Sequence, residues 1–298
     1  MSTIPNAPVA PPDVVVVDED VGASATRPTS GADDGIRAIK GYSVPGEGPS
    51  TLISVVTVLA LLVLWWVATH MGWIKDLFLP TPEKIFTSFG EAWRGDIQGG
   101  KPLTEHFWWS LYRVFAAFVL AVVTAVPVGI AMGVSRIARG IFDPPIEFYR
   151  PLPPLGLYTL LVMWLGIGES SKLALLFLAG LPGIVISTIQ AVSSIDPIYV
   201  RAAQSLGAKP RDLVLYVYLP AAGPLILAGM RISLGFTYTV LVAAEIVAAS
   251  SGIGWMIWDA AKFLLSDVVI MGLIVLGLTG VLLDLAMRAI AKLLMPWS

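Results

Sequence analysis

Four ionisable residues, Arg113, Arg231, Glu245 and Asp284, stand at or within long apolar runs of this 298-residue chain. A charge in hydrocarbon is costly, and where one persists it is paired, wetted or functional. Arg113 and Asp284 fall at the ends of their runs, where a side chain can snorkel to water. Arg231 follows Pro220 by about 16 Å along a helix, and Glu245 lies about 21 Å further on. Those two cannot meet within one helix, so each needs a partner on another element or contact with water. A structural role is expected for both ahead of substrate binding.

Groups for covalent chemistry are scarce. The chain has no cysteine and two isolated histidines, His70 and His106, so neither a disulfide nor a metal cluster is expected. No G-x-x-x-x-G-K-[ST] loop is present to cradle a phosphate. A G-x-S-x-G elbow and an H-E-x-x-H helix are missing as well. The expectation is a protein that is not an enzyme and carries no cofactor. A formal net charge of −2 also argues against a nucleic-acid partner.

The richest local grammar lies in 193–220. Asp196 is a good N-cap and Pro197 a good first helical residue, so a helix starts there. It stops at Gly207, which tolerates the left-handed conformation that ends many helices. A second short helix begins at Pro210, with Asp212 in its first turn, and ends before Pro220. The expected product is a rigid helical knob between two membrane segments, shaped to dock something.

The elements that must hold this knob follow from composition. Apolar residues make up 56% of the chain and Asp, Glu, Lys and Arg only 13%, about half the usual charged share of a soluble domain. That marks an all-α, polytopic membrane protein, because lipid offers no partner to an open backbone. About six transmembrane helices are expected, at 52–73, 114–135, 151–168, 173–195, 221–248 and 268–283, the last running on towards Leu294. Arg136, Arg139, Arg201, Lys209, Arg211, Arg288 and Lys292 then share one side. By the positive-inside rule both termini are cytoplasmic. Residues 1–50 hold seven prolines and seven acidic residues and read as a disordered cytoplasmic tail. Thr81 and Pro82 open a helix with Ile85, Phe86, Phe89 and Trp93 on one face, lying on the outer membrane surface or packed on the protein. Gly129 and Gly133 form a small-xxx-small pair for close helix packing. Gly252, Gly254, Trp255, Trp258 and Phe263 suggest a re-entrant or interfacial segment.

The knob closely resembles the EAA loop of bacterial ABC importer permeases, which reads EAA, three residues, Gly, nine residues, Ile, one residue, Leu-Pro. Here Arg201, Ala202 and Ala203 precede Gly207, and Val217, Tyr218, Leu219 and Pro220 complete the spacing, with Arg for the leading Glu and Val for Ile. The resemblance covers roughly 60–298 and is greatest to the nitrate, sulfonate and taurine branch, especially its taurine permeases. It is carried by 127–133 (PVGIAMG), 140–154 (GIFDPPIEFYRPLPP), 166–172 (GIGESSK), 241–245 (LVAAE) and Met295-Pro296-Trp297. Where such permeases usually read Pro-Pro-Leu-Ala-Trp-x-Pro, this chain has Pro153, Pro154, Leu155, Gly156, Leu157, Tyr158 and Thr159. That departure implies a substrate other than taurine if this span lines the pathway; by the resemblance small sulfonates lead as cargo, with nitrate, bicarbonate-like anions and heterocyclic precursors open.

The resemblance implies a type I ABC importer transmembrane domain over 106–294, preceded by a first span and outer amphipathic segment over 51–105. It implies that Arg201, Ala202, Ala203, Gly207, Leu219 and Pro220 couple to a cytoplasmic ABC ATPase dimer, which does the hydrolysis. It further implies an external or periplasmic solute-binding protein, a second copy of the permease and an inner (plasma) membrane location with lipid around it. The substrate-binding residues stay unassigned. The rival readings are a secondary transporter driven by an ion gradient, which should show an inverted repeat that is not evident here, and a membrane scaffold without transport.

Overall fold

A computed structural model of the protein describes residues 51–97 and 99–296. The expected tail at 1–50 lies outside them. No strand occurs among the described residues, and the helices follow in the order α1 Thr51–His70, α2 Pro82–Arg94, α3 Leu103–Val134, α4 Arg136–Tyr149, α5 Pro154–Leu165, α6 Glu169–Ser193, α7 Pro197–Ser205, α8 Pro210–Leu213, α9 Leu219–Ala248, α10 Ile253–Lys262 and α11 Ser266–Leu294. Among the described residues, five helical stretches are long and apolar enough to cross a membrane: Leu52–His70, Leu103–Val134, Glu169–Ser193, Pro210–Val247 and Ser266–Leu294.

The segment expected as the third span is shorter. Its helix α5 has 12 residues, about 18 Å, against a hydrocarbon core of roughly 30 Å. Pro153, followed by Pro154, is held in extended backbone, and Gly166 closes the helix at a φ of 82°. The second span differs in the other direction. Helix α3 begins at Leu103 and passes straight through Arg113, because that charge is paired inside the protein.

The core is a three-helix contact of α3, α6 and α9 built on missing side chains. A Cβ on Gly129 would lie 2.6 Å from the Thr188 Cβ, and one on Gly133 2.6 Å from the Val192 Cγ1. No real Cβ fits there, so the expected small-residue pair is what lets α3 lie on α6. A Cβ on Gly180 would likewise lie 2.7 Å from the Thr237 Oγ1, so α6 approaches α9 as closely.

Helix α2 is capped as expected, with Thr81 Oγ1 accepting from the Lys84 amide at 3.4 Å. Of its two expected settings, the helix takes the packed one. It buries Ile85, Ser88 and Ala92, and Ser88 Oγ donates to Asp267 Oδ2 of α11 at 2.5 Å. Phe86 and Trp93 face outward instead. Helix α1 meets the protein near its C-terminal end, where Trp65 Nε1 donates to the Pro80 carbonyl at 3.2 Å and Trp66 Nε1 to Glu83 Oε1 at 3.1 Å. Its large side chains from Leu52 to Leu64 are exposed, an apolar surface suited to lipid or another span.

Candidate functional site

The knob of 193–220 is built as its residues dictate. Asp196 Oδ1 accepts from the Ile198 amide at 2.9 Å, and Pro197 opens α7. At the other end Gly207 has a φ of 85°. The amide of Gly207 donates to the Gln204 carbonyl at 2.9 Å and that of Ala208 to the Ala203 carbonyl at 3.1 Å. Those two crossed bonds satisfy the last carbonyls of α7 and turn the chain sharply.

Beyond the turn the second helix does not end before Pro220. Helix α8 passes through a π-helical turn, Val214–Tyr218, directly into α9. The Leu219 amide bonds to the Val214 carbonyl, five residues back. The widened turn carries the helix past Pro220, whose missing N–H would otherwise break the ladder. The knob is therefore joined to α9 by continuous helix rather than by a loop.

Helix α7 buries none of its own residues. Arg201 and Ala202 are exposed, Ala203 is half-buried, and Leu219 and Pro220 are exposed at the start of α9. Ile198, Tyr199 and Leu206 are exposed too, Leu206 at 89%. Arg201 makes no ion pair among the described residues. Leu213, which is buried, anchors the knob from below.

At the far end of α6 and α9 lies a second feature, a buried charged node. Arg113 of α3 donates from Nε and Nη2 to the two carboxylate oxygens of Glu169 at 2.7 and 2.8 Å. Its Nη1 reaches Glu245 Oε1 at 2.8 Å and the Ser251 carbonyl at 2.6 Å. Lys172 Nζ adds a contact to Glu169 Oε1 at 2.7 Å. Glu245 also accepts from Ser110 Oγ at 2.7 Å and from the Gly254 amide at 2.8 Å. Ser110 in turn accepts from the Ile253 amide at 2.8 Å, and His106 Nδ1 from the Gly252 amide at 3.0 Å.

The Glu245 carboxylate thus sits on the N-terminus of α10, where free amides and the helix dipole favour a negative charge. Gly252 permits this approach. It has a φ of 123°, and a Cβ there would lie 2.2 Å from Glu245 Oε1. The segment at 252–263, expected as re-entrant or interfacial, is a short helix with Ile253, Met256 and Ala260 buried.

The expected pairing of Glu245 and Arg231 with other elements holds. Arg231 is bonded to Asp284 of α11, which also accepts from Arg288 at 3.0 Å. The expected snorkelling of Arg113 does not hold, because its side chain is 1% exposed. Glu169, Lys172, Ser110 and His106 are node members that the reading by charge and spacing missed. Glu169 and Lys172 do fall within the GIGESSK passage.

Among the described residues, five long apolar helices with buried charge pairs, and a projecting helical knob between two of them, define a multi-pass membrane protein. Residues 125–296 match the model of the family described as the binding-protein-dependent transport system inner membrane component. The chain belongs to that family. It is 43% identical over 249 residues to the taurine transport system permease protein TauC of Escherichia coli K12, covering 82% of this chain and 89% of that protein. It is 32% identical over 238 residues to the putative aliphatic sulfonates transport permease protein SsuC of the same organism, covering 80% and 89%. Among solved structures, an inward-facing form of the MetNI methionine ABC transporter superposes with a TM-score of 0.58 at 21% identity, covering 64% of this chain and 94% of that one. The fold and the family make this chain an ABC importer permease, as the knob motif implied.

Proposed function

We propose that two copies of this chain form the pathway of an ATP-driven importer for a small sulfonate such as taurine. Hydrolysis resides in a separate cytoplasmic ATPase dimer, and an external solute-binding protein delivers the cargo. Both termini are cytoplasmic. The first span and outer segment occupy 51–105, and the importer domain runs from 106 to 294. Arg201, Ala202, Ala203, Gly207, Leu219 and Pro220 form the surface through which closure of the ATPase reaches the spans. The observation that carries the cargo assignment is the 43% identity with TauC across 89% of that protein. The exposed, uncommitted surface of α7 and the continuous helix from α8 into α9 support the coupling role.

The knob and the node lie at opposite ends of α9. From Leu219 to Glu245 the helix runs about 39 Å, enough to cross a bilayer core. With the knob inside, the node lies near the outer face, where cargo arrives.

Reconstitution tests the whole reading. Liposomes holding the permease and its ATPase, supplied with the binding protein, are expected to accumulate labelled taurine only with ATP inside. Uptake driven by an ion gradient without ATP would overturn the mechanism. ATP-driven uptake of nitrate but of no sulfonate would overturn the cargo.

A further inference from the structure

Midway along α9, a groove opens between α6 and α9. Its cavity is about 420 Å³, within the usual range for small-molecule sites. The walls include Ile232 and Phe236, and the polar lining includes Arg150, Ser187, Gln190 and Ser233. Arg150 supplies a positive charge, and among the described residues no acidic one lines the groove. The Arg150 guanidinium is free to take another partner, since its contact with Glu147 is a loose 3.9 Å pair between exposed side chains.

Ser187 Oγ already donates into its own helix, to the Gly183 carbonyl at 2.7 Å. Ser233 is 4% exposed, and its Oγ is turned onto Gly183 of α6, where a Cβ would lie 2.4 Å from it. Both hydroxyls thus face the helices, and the exposed Arg150 and Gln190 are the polar groups open to the groove. Ser233 lies about 21 Å along α9 from Leu219 and about 18 Å from Glu245, so the groove sits between the knob and the node.

We propose that this groove is a cargo station, in which the Arg150 guanidinium and the Gln190 carboxamide hold the oxyanion head of a small sulfonate. The assignment rests on the sulfonate reading above. Guanidinium is weakly hydrated and matches the geometry of oxyanions. One cation with one neutral donor attracts such a head without trapping it, as passage through a pathway requires. The phosphate of a phospholipid headgroup shares this chemistry, and the test separates the two.

The chain has no cysteine, so Ser187→Cys places a single permease thiol at the groove beside the proposed binding groups. In the detergent-solubilised complex with its ATPase, two reagents are compared by the intact mass of the permease: anionic sulfonatoethyl methanethiosulfonate and neutral hydroxyethyl methanethiosulfonate. The expected preference for the anionic reagent falls about tenfold when Arg150→Gln is added, as for a cationic cleft that concentrates anions. Taurine slows the labelling, and adding Gln190→Leu raises the half-protecting taurine concentration about fivefold, the effect of one neutral hydrogen bond. A preference indifferent to Arg150 overturns the station. So does a lack of protection by taurine in a complex whose wild type imports taurine. Protection by phosphatidylglycerol and none by taurine places a lipid there and overturns it too. A wild type that imports no sulfonate overturns the cargo reading instead, and the groove then stands or falls with the Arg150 dependence of the reagent ratio.

Discussion

Arg113 and Glu245 stand 132 residues apart in the chain and 2.8 Å apart in the fold, with side chains 1% and 0% exposed. The pair ties α3 to α9, and Glu169 and Ser251 extend the tie to α6 and to the start of α10. Four elements are thereby joined at one end of the bundle. At the other end Val214 and Tyr218 of the π-helical turn pack against Ile130 of α3, Ala191 and Val192 of α6, and Ala222 and Ile226 of α9.

Removing one member of a buried pair leaves the other charge without compensation, at about 3–5 kcal/mol. Arg113→Ala is therefore expected to lower the thermal midpoint of the detergent-solubilised permease sharply. Glu245→Gln, which keeps an acceptor for Ser110 or Gly254, should cost less. The double variant should cost less than the sum of the two, since contacting residues are not additive. Fluorescence-detected size exclusion after heating reads all three, and strictly additive losses would show that the two side chains act independently.

Close packing of α3 on α6 gives a second expectation. Gly133→Ala places a methyl 2.6 Å from the Val192 Cγ1 and should cost roughly 1–3 kcal/mol through overpacking. Adding Val192→Ala removes the Cγ1 contact but leaves its Cβ 2.8 Å away, and should recover part of that loss. The same heating assay decides, and a Gly133→Ala permease as stable as the wild type would mean that the two helices can separate freely.

At the turn of the knob, Gly207 has a φ of 85° with open space around it. A substituent there meets no neighbour, so any effect comes from the backbone alone. Gly207→Val should cost about 1–3 kcal/mol of local strain, leave membrane insertion intact and abolish ATP-driven uptake. Gly207→Asn, which tolerates the left-handed region better, should keep most of it. Wild-type uptake by the Val variant would show that the turn has no part in coupling.

Local signals in the sequence carried much of this architecture. Asp196-Pro197, Thr81-Pro82 and Gly207 each act within a few residues, and each cap forms where its residues direct. Long uncharged runs located the five long spans for the same reason. The short α5 was less legible, because hydropathy does not register that Pro153 and Gly166 cut the helix at both ends. Pro220 pointed to a break, but a π-helical turn absorbs it. Arg113 misled most. A charge near the end of an apolar run has the same local signature whether it snorkels or is buried, and its partners Glu169 and Glu245 are 56 and 132 residues away.

Arg201 offers the sharpest test of the docking reading, because it stands where related loops carry an acid. It is exposed on a helix that buries none of its own residues, so it is available to a partner. Against an acidic residue of the ATPase, sheltered from water, it would form a charge-assisted hydrogen bond of about 1.5–3 kcal/mol. A solvated arginine would contribute at most about 1 kcal/mol. Arg201→Glu separates the two. Docking on an acid gives repulsion, so association with the native ATPase should weaken by an order of magnitude or more at low salt and recover when the facing acid is changed to lysine. Added salt should narrow the difference, since it screens exposed charges within about 10 Å. Arg201→Gln should fall between wild type and Arg201→Glu. If Arg201→Glu binds the native ATPase as tightly as the wild type at low salt, the ion pair is excluded, and the case for coupling rests on Gly207 and on the helical junction at Leu219 and Pro220.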